Sequence, residues 1–435
     1  MNGKQPVLNS LLCGLVLLSV VHSASIAPDI TVAADGSGDY KKVQDAINAV
    51  NSAGKVIFIK PGTYKEQIRV TSNKKSLKLI GESYETTVIT FNADAGSGRD
   101  THATAIVSAE DFYAEQVTFQ NTVDSRVSGS QAEALRVTGD RAIFYKCKIT
   151  GFQDTYRNDG TKRSYHKECI IEGTTDFIYG NGIALFEECT INNRKNSHVT
   201  AANHALINGT DPNKFGYVFI NCAVKKHPDE TVTNASLGRP WGNAARVVYL
   251  NCEIGAHIRS DGWSTWNDNT NHLTSYYAEY KSTGPGANPD KRLPWTHQLT
   301  DTEAAQYTKE NIFKANTTRA ATLIGDWNPV IEGATGIRAS RRSVSSIPPN
   351  QTAVRVDPSV VTFTVTRVSH VRLSMYDLHG REVAVSFDGT VPAGSHKVKN
   401  ITSALSKGIY IPQLSIEAGE NGRLTVHTLK MIYLK

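Results

Sequence analysis

The chain has 435 residues, 40% of them hydrophobic, with 47 Lys and Arg against 41 Asp and Glu, a formal net charge of +6 and a pI near 8.8. Such a length buries a large core and suggests two or three domains. The mild basic excess favours polyanionic partners, but no recognition-helix or basic-aromatic pattern points to nucleic acid, and no CxxC or HExxH spacing calls for a metal or other cofactor.

Lys4 precedes an apolar run from Leu11 to Val21, followed by the small residues Ser23, Ala24 and Ser25. Eleven residues are too few to span a bilayer, so residues 1–24 read as a cleaved secretion signal and the protein as secreted or cell-surface bound. Cys13 lies inside this run and fits a lipid-attachment site poorly. In residues 30–50, a short strand and a Gly-rich turn lead into Val43, Ala46, Ile47 and Val50 at helical spacing. Neither GKS nor GxGxxG completes a phosphate cradle there. The segments VIFIKPGTYKEQIRV (56–70) and LKLIGESYETTVIT (77–90) are short apolar strands broken at Pro-Gly and Gly. Tyr64 and Glu66 read as corner residues in preference to groove-facing ones.

A ladder then begins. The pattern aromatic-x-x-Cys-x-aliphatic recurs at Phe144/Cys147, Phe186/Cys189, Phe219/Cys222 and Tyr249/Cys252, with a degenerate copy at His166/Cys169. A self-similar period of 20 to 33 residues is the mark of a solenoid. The short amphipathic helix at 43–50 would cover its open first rung. Each cysteine holds the same place in its rung, so these five read either as a buried stack of small apolar side chains or as the source of one disulfide between adjacent rungs. In a parallel β-helix of about 22 residues per turn, residues one turn apart stack at roughly 4.8 Å. Gln131, Gln153 with Asp154, and Asp176 then fall on three successive rungs. Carboxylates that close disfavour double ionisation, so one Asp keeps its proton while the other stays charged.

The strings QAEALRV (131–137), GFQDTY (151–156), DFIYGN (176–181) and LGRPW (237–241) resemble, in order and spacing, the signature blocks of pectin methylesterases. DGSGDYKKVQDAI, GTYKE, GWSTW (262–266) and DWNP (326–329) resemble other family blocks, and the similarity runs over roughly residues 29–333. It implies an all-β fold, a right-handed parallel β-helix, over residues 29–335, and hydrolysis of the C6 methyl esters of homogalacturonan in pectin. In line with family roles, Asp176 is the expected nucleophile, Asp154 the general acid and then base, and Gln131 and Gln153 the oxyanion donors. Arg239 is expected to hold Asp176 ionised and Trp241 to stack on a sugar ring. LGRPW is expected in a loop, because Pro240 would interrupt a central strand. Phe152, Tyr156, Phe177 and Tyr179 are expected along the groove, although strand alternation turns half of such residues inward. The family reads QDTLY where this chain has Gln153-Asp-Thr-Tyr156-Arg157, and Arg157 is suited to a neighbouring free carboxylate of the substrate.

The competing functions are a lyase on the same architecture, a glycosidase using paired carboxylates and a non-catalytic polysaccharide-binding solenoid. Residues 336–350 are a basic, Pro-ended linker, and residues 351–435 alternate as a small β-sandwich. Its YDLHGR and GIY strings resemble, weakly, the C-terminal sorting domains of Bacteroidetes-type and Fibrobacter-type secreted enzymes. That similarity implies export machinery as a partner; a carbohydrate-binding module is the alternative.

Overall fold

Single left-handed residues turn the chain at one recurring corner of the coil. Lys146, Glu168, Glu188, Asn221 and Asn251 have φ between 49° and 55°, and each immediately precedes one of the five ladder cysteines. Such a conformation costs a non-glycine residue on the order of 1 kcal/mol, and it persists here because the strands on either side fix it. The strand before the corner and the strand after it therefore belong to different sheets. Ala142–Tyr145, Lys148–Thr150 and Tyr156–Asn158 make one turn; Arg163–Lys167, Ile170–Gly173 and Ile178–Gly180 make the next.

The computed structural model describes residues 28–98, 102–160, 162–205, 215–314 and 325–331, together with strands between 354 and 434. Corresponding strands of successive turns pair in parallel and build sheets of 11, 8 and 7 strands, the right-handed parallel β-helix expected from the repeats. The secretion-signal segment and the linker lie outside the described residues.

The ladder's aromatic positions form a continuous column inside the coil. Phe144, His166, Phe186, Phe219 and Tyr249 stack ring on ring, with centroids 4.9, 4.8, 4.6 and 4.3 Å apart and interplanar angles of 5° to 19°. His166, the degenerate copy, keeps the column unbroken as a neutral ring, its pKa lowered to about 3 by burial. Its Nε2 meets the Tyr156 hydroxyl at 2.9 Å, while buried Nδ1 has no partner. The cysteines form a parallel column of free, buried thiols. Cys169, Cys189 and Cys222 each donate to the carbonyl of the column ring one turn earlier, at 3.3 to 3.4 Å. Of the two readings of these residues, the structure adopts the apolar stack.

The first turn is closed by the helix Val43–Ala49, which buries Val43, Ala46 and Ile47. Glu66 accepts from the backbone N–H groups of Val43 and Gln44 at 2.8 and 2.9 Å. It thereby satisfies two of the donors a helix start leaves free and opposes the dipole with a negative charge. Buried Tyr64 donates to the Lys60 carbonyl. Both residues are thus corner fittings.

LGRPW departs from expectation. Ser236–Pro240 is a strand at the edge of the seven-stranded sheet, with Trp241 just beyond it. An edge strand tolerates the missing N–H of Pro240 at its end, so the proline argument against a strand does not apply.

A second unit, Arg341–Lys435, contains antiparallel strands in sheets of three and five, with Ile432–Leu434 paired to Gly408–Ala418. Phe363, Val365, Val371, Leu373, Val398, Leu414 and Ile416, drawn from both sheets, make its core. This is the small sandwich expected there. Tyr376 of YDLHGR ends the strand Ser369–Tyr376, residues 377–381 lie outside the described residues, and GIY opens Gly408–Ala418.

The column predicts two unequal substitutions. Phe186→Ala removes a fully enclosed ring with neighbours on both sides and should cost about 3–5 kcal/mol. His166→Phe keeps a ring in the column and removes an unpartnered buried nitrogen, but enlarges the ring and gives up the Nε2 contact to Tyr156, and should cost less, about 1–3 kcal/mol. Thermal or urea unfolding of the two variants measures the difference.

Candidate active site

Strand alternation in the seven-stranded sheet sorts its side chains before any chemistry is considered. On Tyr156–Asn158, Tyr156 and Asn158 point into the coil and Arg157 points out. Tyr156 is fully enclosed, its hydroxyl 3.0 Å from Ser164 Oγ, so it belongs to the core and not to the substrate groove. Phe177 is likewise fully enclosed and packs in the main core. The phase of the alternation corrects the first expectation; Phe177, enclosed beside the equally enclosed Ile178, follows the left-handed corner at Asp176.

The register Leu135↔Tyr156↔Ile178↔Thr200↔Gly238 fixes which residues share a row. Two residues further back, Asp154 lies beside Asp176, and His198 pairs directly with Ser236. The step before Asp154 is 22 residues where Ala132 N–H donates to the Gln153 carbonyl and Ala134 N–H to that of Thr155, and tightens to 21 from Leu135 on, so Gln131 lies one turn before Gln153 and Glu133 one turn before Asp154 and Thr155. Gln131 sits at an exposed position, its carbonyl accepting from Ala95 N–H at 2.8 Å. Gln153 is partly buried at the corner, beside Asp154.

Asp154 and Asp176 occupy left-handed corners, φ 64° and 50°, a conformation Asp tolerates better than most residues. Arg239 Nε donates to Asp176 Oδ1 at 3.0 Å and Nη2 to Oδ2 at 2.6 Å, a bidentate fork. Burial raises the pKa of Asp176, and the Arg239 hydrogen bonds offset part of that rise. Asp154 is pushed well above the ordinary carboxylate range by burial, then by the charges of Asp176 and Glu133; Arg157 and Arg239 act against this. One acid is clamped by a cation and the other is not.

Behind the pair, His198 Nδ1 lies 2.7 Å from Ser236 Oγ. Burial, aided by Arg239 and Arg259, lowers the His198 pKa to about 3 and keeps the ring neutral. The outer wall is aromatic. Trp241 is 38% exposed and stacks on Trp266 at 5.8 Å and 21°. Tyr179 approaches Trp241 at 6.3 Å, and the Arg239 guanidinium lies 4.0 Å from the Trp266 ring centre. Phe152 stands beside the site at the same corner as Gln153, between the guanidinium groups of Arg194 and Arg126, 4.3 and 5.0 Å from its ring. Arg157 is tied to Asp159 at 2.5 Å and to Glu133 at 3.5 Å.

Sequence reasoning missed Trp266 and Glu133. GWSTW was visible, but only register distinguishes Trp263, fully enclosed, from Trp266 at the site. Glu133 was visible inside QAEALRV, but nothing in the spacing marked it out, because the 22-residue ladder passes through Gln131 and Gln153. A concavity of about 600 Å³ on another face is lined by Lys148, Glu172, Arg194 and His227. Of its two acids, Glu85 is engaged by Ser83 and Glu172 by Thr150, Asn192 and Lys148, and it contains neither aspartate. Among the described residues, no group of three or more His, Cys, Asp or Glu is arranged to hold a metal ion, and no helix is long and apolar enough to cross a membrane.

Comparison with known proteins agrees with this fold. The family model described as Pectinesterase matches residues 29–316. Pectinesterase 31 of Arabidopsis thaliana is 37% identical over 294 residues, covering 64% of this chain and 90% of that protein; a pectinesterase of Petunia integrifolia is 39% identical, covering 63% and 76%. Among solved structures, pectin methylesterase from carrot superposes with a TM-score of 0.61 at 32% identity, over 66% of this chain and 94% of that one. A pectin methylesterase in complex with a hexasaccharide gives 0.58 at 29%, over 70% and 99%. The chain belongs to the pectinesterase family.

Proposed function

We propose that the protein hydrolyses the C6 methyl esters of homogalacturonan in pectin, with Asp176 as nucleophile and Asp154 as acid and base. The observation that carries this is the asymmetry of the pair: Asp176 sits in the Arg239 fork, whereas nothing comparable holds Asp154. An ionised carboxylate beside a protonated one is what ester cleavage through a covalent intermediate requires.

A carboxylate oxygen of Asp176 adds to the C6 carbonyl carbon, and the negative charge moves to the carbonyl oxygen. The side-chain amides of Gln131 and Gln153 serve as its donors, since they bring hydrogen bonds without a charge that would disturb the acids. The bond to the methoxy oxygen then breaks as Asp154 gives it a proton, releasing methanol and leaving an anhydride on Asp176. Asp154, now ionised, takes a proton from water, whose oxygen attacks the C6 carbonyl carbon of the anhydride. Asp176 departs as carboxylate, the C6 carboxyl is left free, and Asp154 is reprotonated. Trp241 and Trp266 offer flat apolar faces to a sugar ring, and Phe152 supports the corner that carries Gln153. We further read residues 1–24 as a secretion signal and 351–435 as a sorting-type domain that hands the enzyme to export machinery. The mass of the extracellular protein tests the latter reading, since an intact 351–435 on the cell surface would count against a cleaved signal.

Purified protein is incubated with highly methylated pectin, with and without a calcium chelator, while methanol and the ultraviolet absorbance of unsaturated products are followed together. Methanol without new absorbance, indifferent to the chelator, is expected; chelator-sensitive absorbance would mean a lyase instead. Asp176→Asn should lose methanol release by at least about 10³-fold, because it removes the nucleophile itself. Arg239→Lys keeps the charge but loses the fork, and should lower kcat on the order of 10²-fold. The pH profile follows from the two acids. Activity needs Asp176 ionised, so the acid limb should lie above the ordinary Asp value of about 4, and it should rise further in Arg239→Lys. It also needs Asp154 protonated, so the alkaline limb should lie higher still.

A further inference from the structure

Glu133 has no part in this scheme, yet the backbone N–H groups of its neighbours Ala132 and Ala134 donate to the carbonyls of Gln153 and Thr155, so it lies one turn before Asp154. It is completely enclosed. Arg136 Nε donates to Oε2 at 2.5 Å, and His102 Nε2 lies 3.2 Å from Oε1. The Tyr179 hydroxyl donates to Oε1 at 2.5 Å, and Arg157 Nη1 reaches the same oxygen at 3.5 Å. Burial on its own would favour the neutral acid, but the His102 and Arg136 contacts outweigh it and hold Glu133 at about 2. A buried charge fixed this firmly keeps its sign throughout the working pH range of an esterase. Two of its partners also bear on the site: Tyr179 stands against Trp241, and Arg157 extends from the strand that follows Asp154.

We propose that Glu133 is a positioning residue for the acid–base step: its fixed negative charge, one turn beneath Asp154, keeps the proton on that acid, and Arg157 opposes it. The groups that act on Asp154 come from four strands or corners. Asp176 faces it from the turn above and Glu133 from the turn below; Arg157 and Arg239 act with the opposite sign, and Arg157 is itself shared between Glu133 and Asp159. A cluster that only fastened neighbouring rungs together would account for the burial of Glu133. It predicts no change in the pH dependence when either charge is removed.

This inference rests on the reading of Asp154 as the general acid, and the test separates the two. The full chain and its Glu133→Gln, Glu133→Asp and Arg157→Gln variants are assayed for background-corrected methanol release at saturating methylated pectin across pH. Removing the negative charge should move the alkaline limb of kcat down by about one pH unit, and removing the positive charge should move it up by a similar amount. Glu133→Asp keeps the charge and should return the limb close to that of the parent. A limb that stays in place in both charge-removing variants, or moves the same way in both, overturns the proposal. If Glu133→Gln shows no melting transition, Arg157→Gln decides alone: an upward shift supports the proposal and an unmoved limb overturns it. If Asp154→Asn keeps full turnover, the assignment of the acid fails; if it is inactive while the limbs stay fixed, only the role of Glu133 fails.

Discussion

Parallel register in the seven-stranded sheet decides which side chains of this protein meet. Neighbouring strands hold corresponding residues about 4.8 Å apart and in step, so a row one residue wide acquires a chemistry of its own. Here Asp154 is stacked beside Asp176, with His198 and Ser236 on the next turns and Glu133 on the turn before. A slip of one residue would turn Tyr156 outward and Arg157 inward, leaving an unpaired guanidinium in an apolar coil. The register is held against this by the enclosed column of five rings on another face and by the left-handed corners that set where each strand begins.

Stacking acids at this spacing is unfavourable unless each charge has an answer, and the answers differ along the row. Glu133 is surrounded by donors and stays charged. Asp176 is met by a guanidinium fork that is itself seated on the Trp266 ring. Asp154 lies between two negative neighbours with neither arrangement, so a proton is its cheapest neutraliser. His198, next in the row, is neutral and adds no positive charge that would pull that proton away. The division of labour between two chemically identical side chains therefore comes from what the coil places one turn above and one turn below each.

The coil, its period and the two aspartates were legible in the chain because they repeat: Cys147, Cys169, Cys189, Cys222 and Cys252 mark five turns, and Asp154 and Asp176 differ by one turn of 22 residues. Three things were not legible, each for a physical reason. The 22-residue step that stacks Ala132 on Asp154 shortens to 21 between Leu135 and Tyr156, and a shift within one strand leaves no mark in the spacing of the motifs. Tyr156 and Phe177 look like groove aromatics by composition, but the phase of the pleat assigns a side to the first and the left-handed corner at Asp176 to the second. Pro240 argued for a loop because a central strand needs every N–H; the argument fails at a sheet edge, and sequence alone does not say where the edge falls.

That edge position bears on the site as well. Ser236–Pro240 is the last strand of its sheet, so Arg239 reaches back across two rungs, past Ala201, to Asp176, with Trp266 beneath its plane. Beyond this strand the coil continues as the irregular segment 257–264, which bonds to Ala235, Leu237 and Gly238 and carries Trp266 on to the face of the guanidinium, where it stacks with Trp241. The cation that fixes the nucleophile and the surface suited to a sugar ring thus depend on the same circumstance, the point at which regular strands give way to that segment.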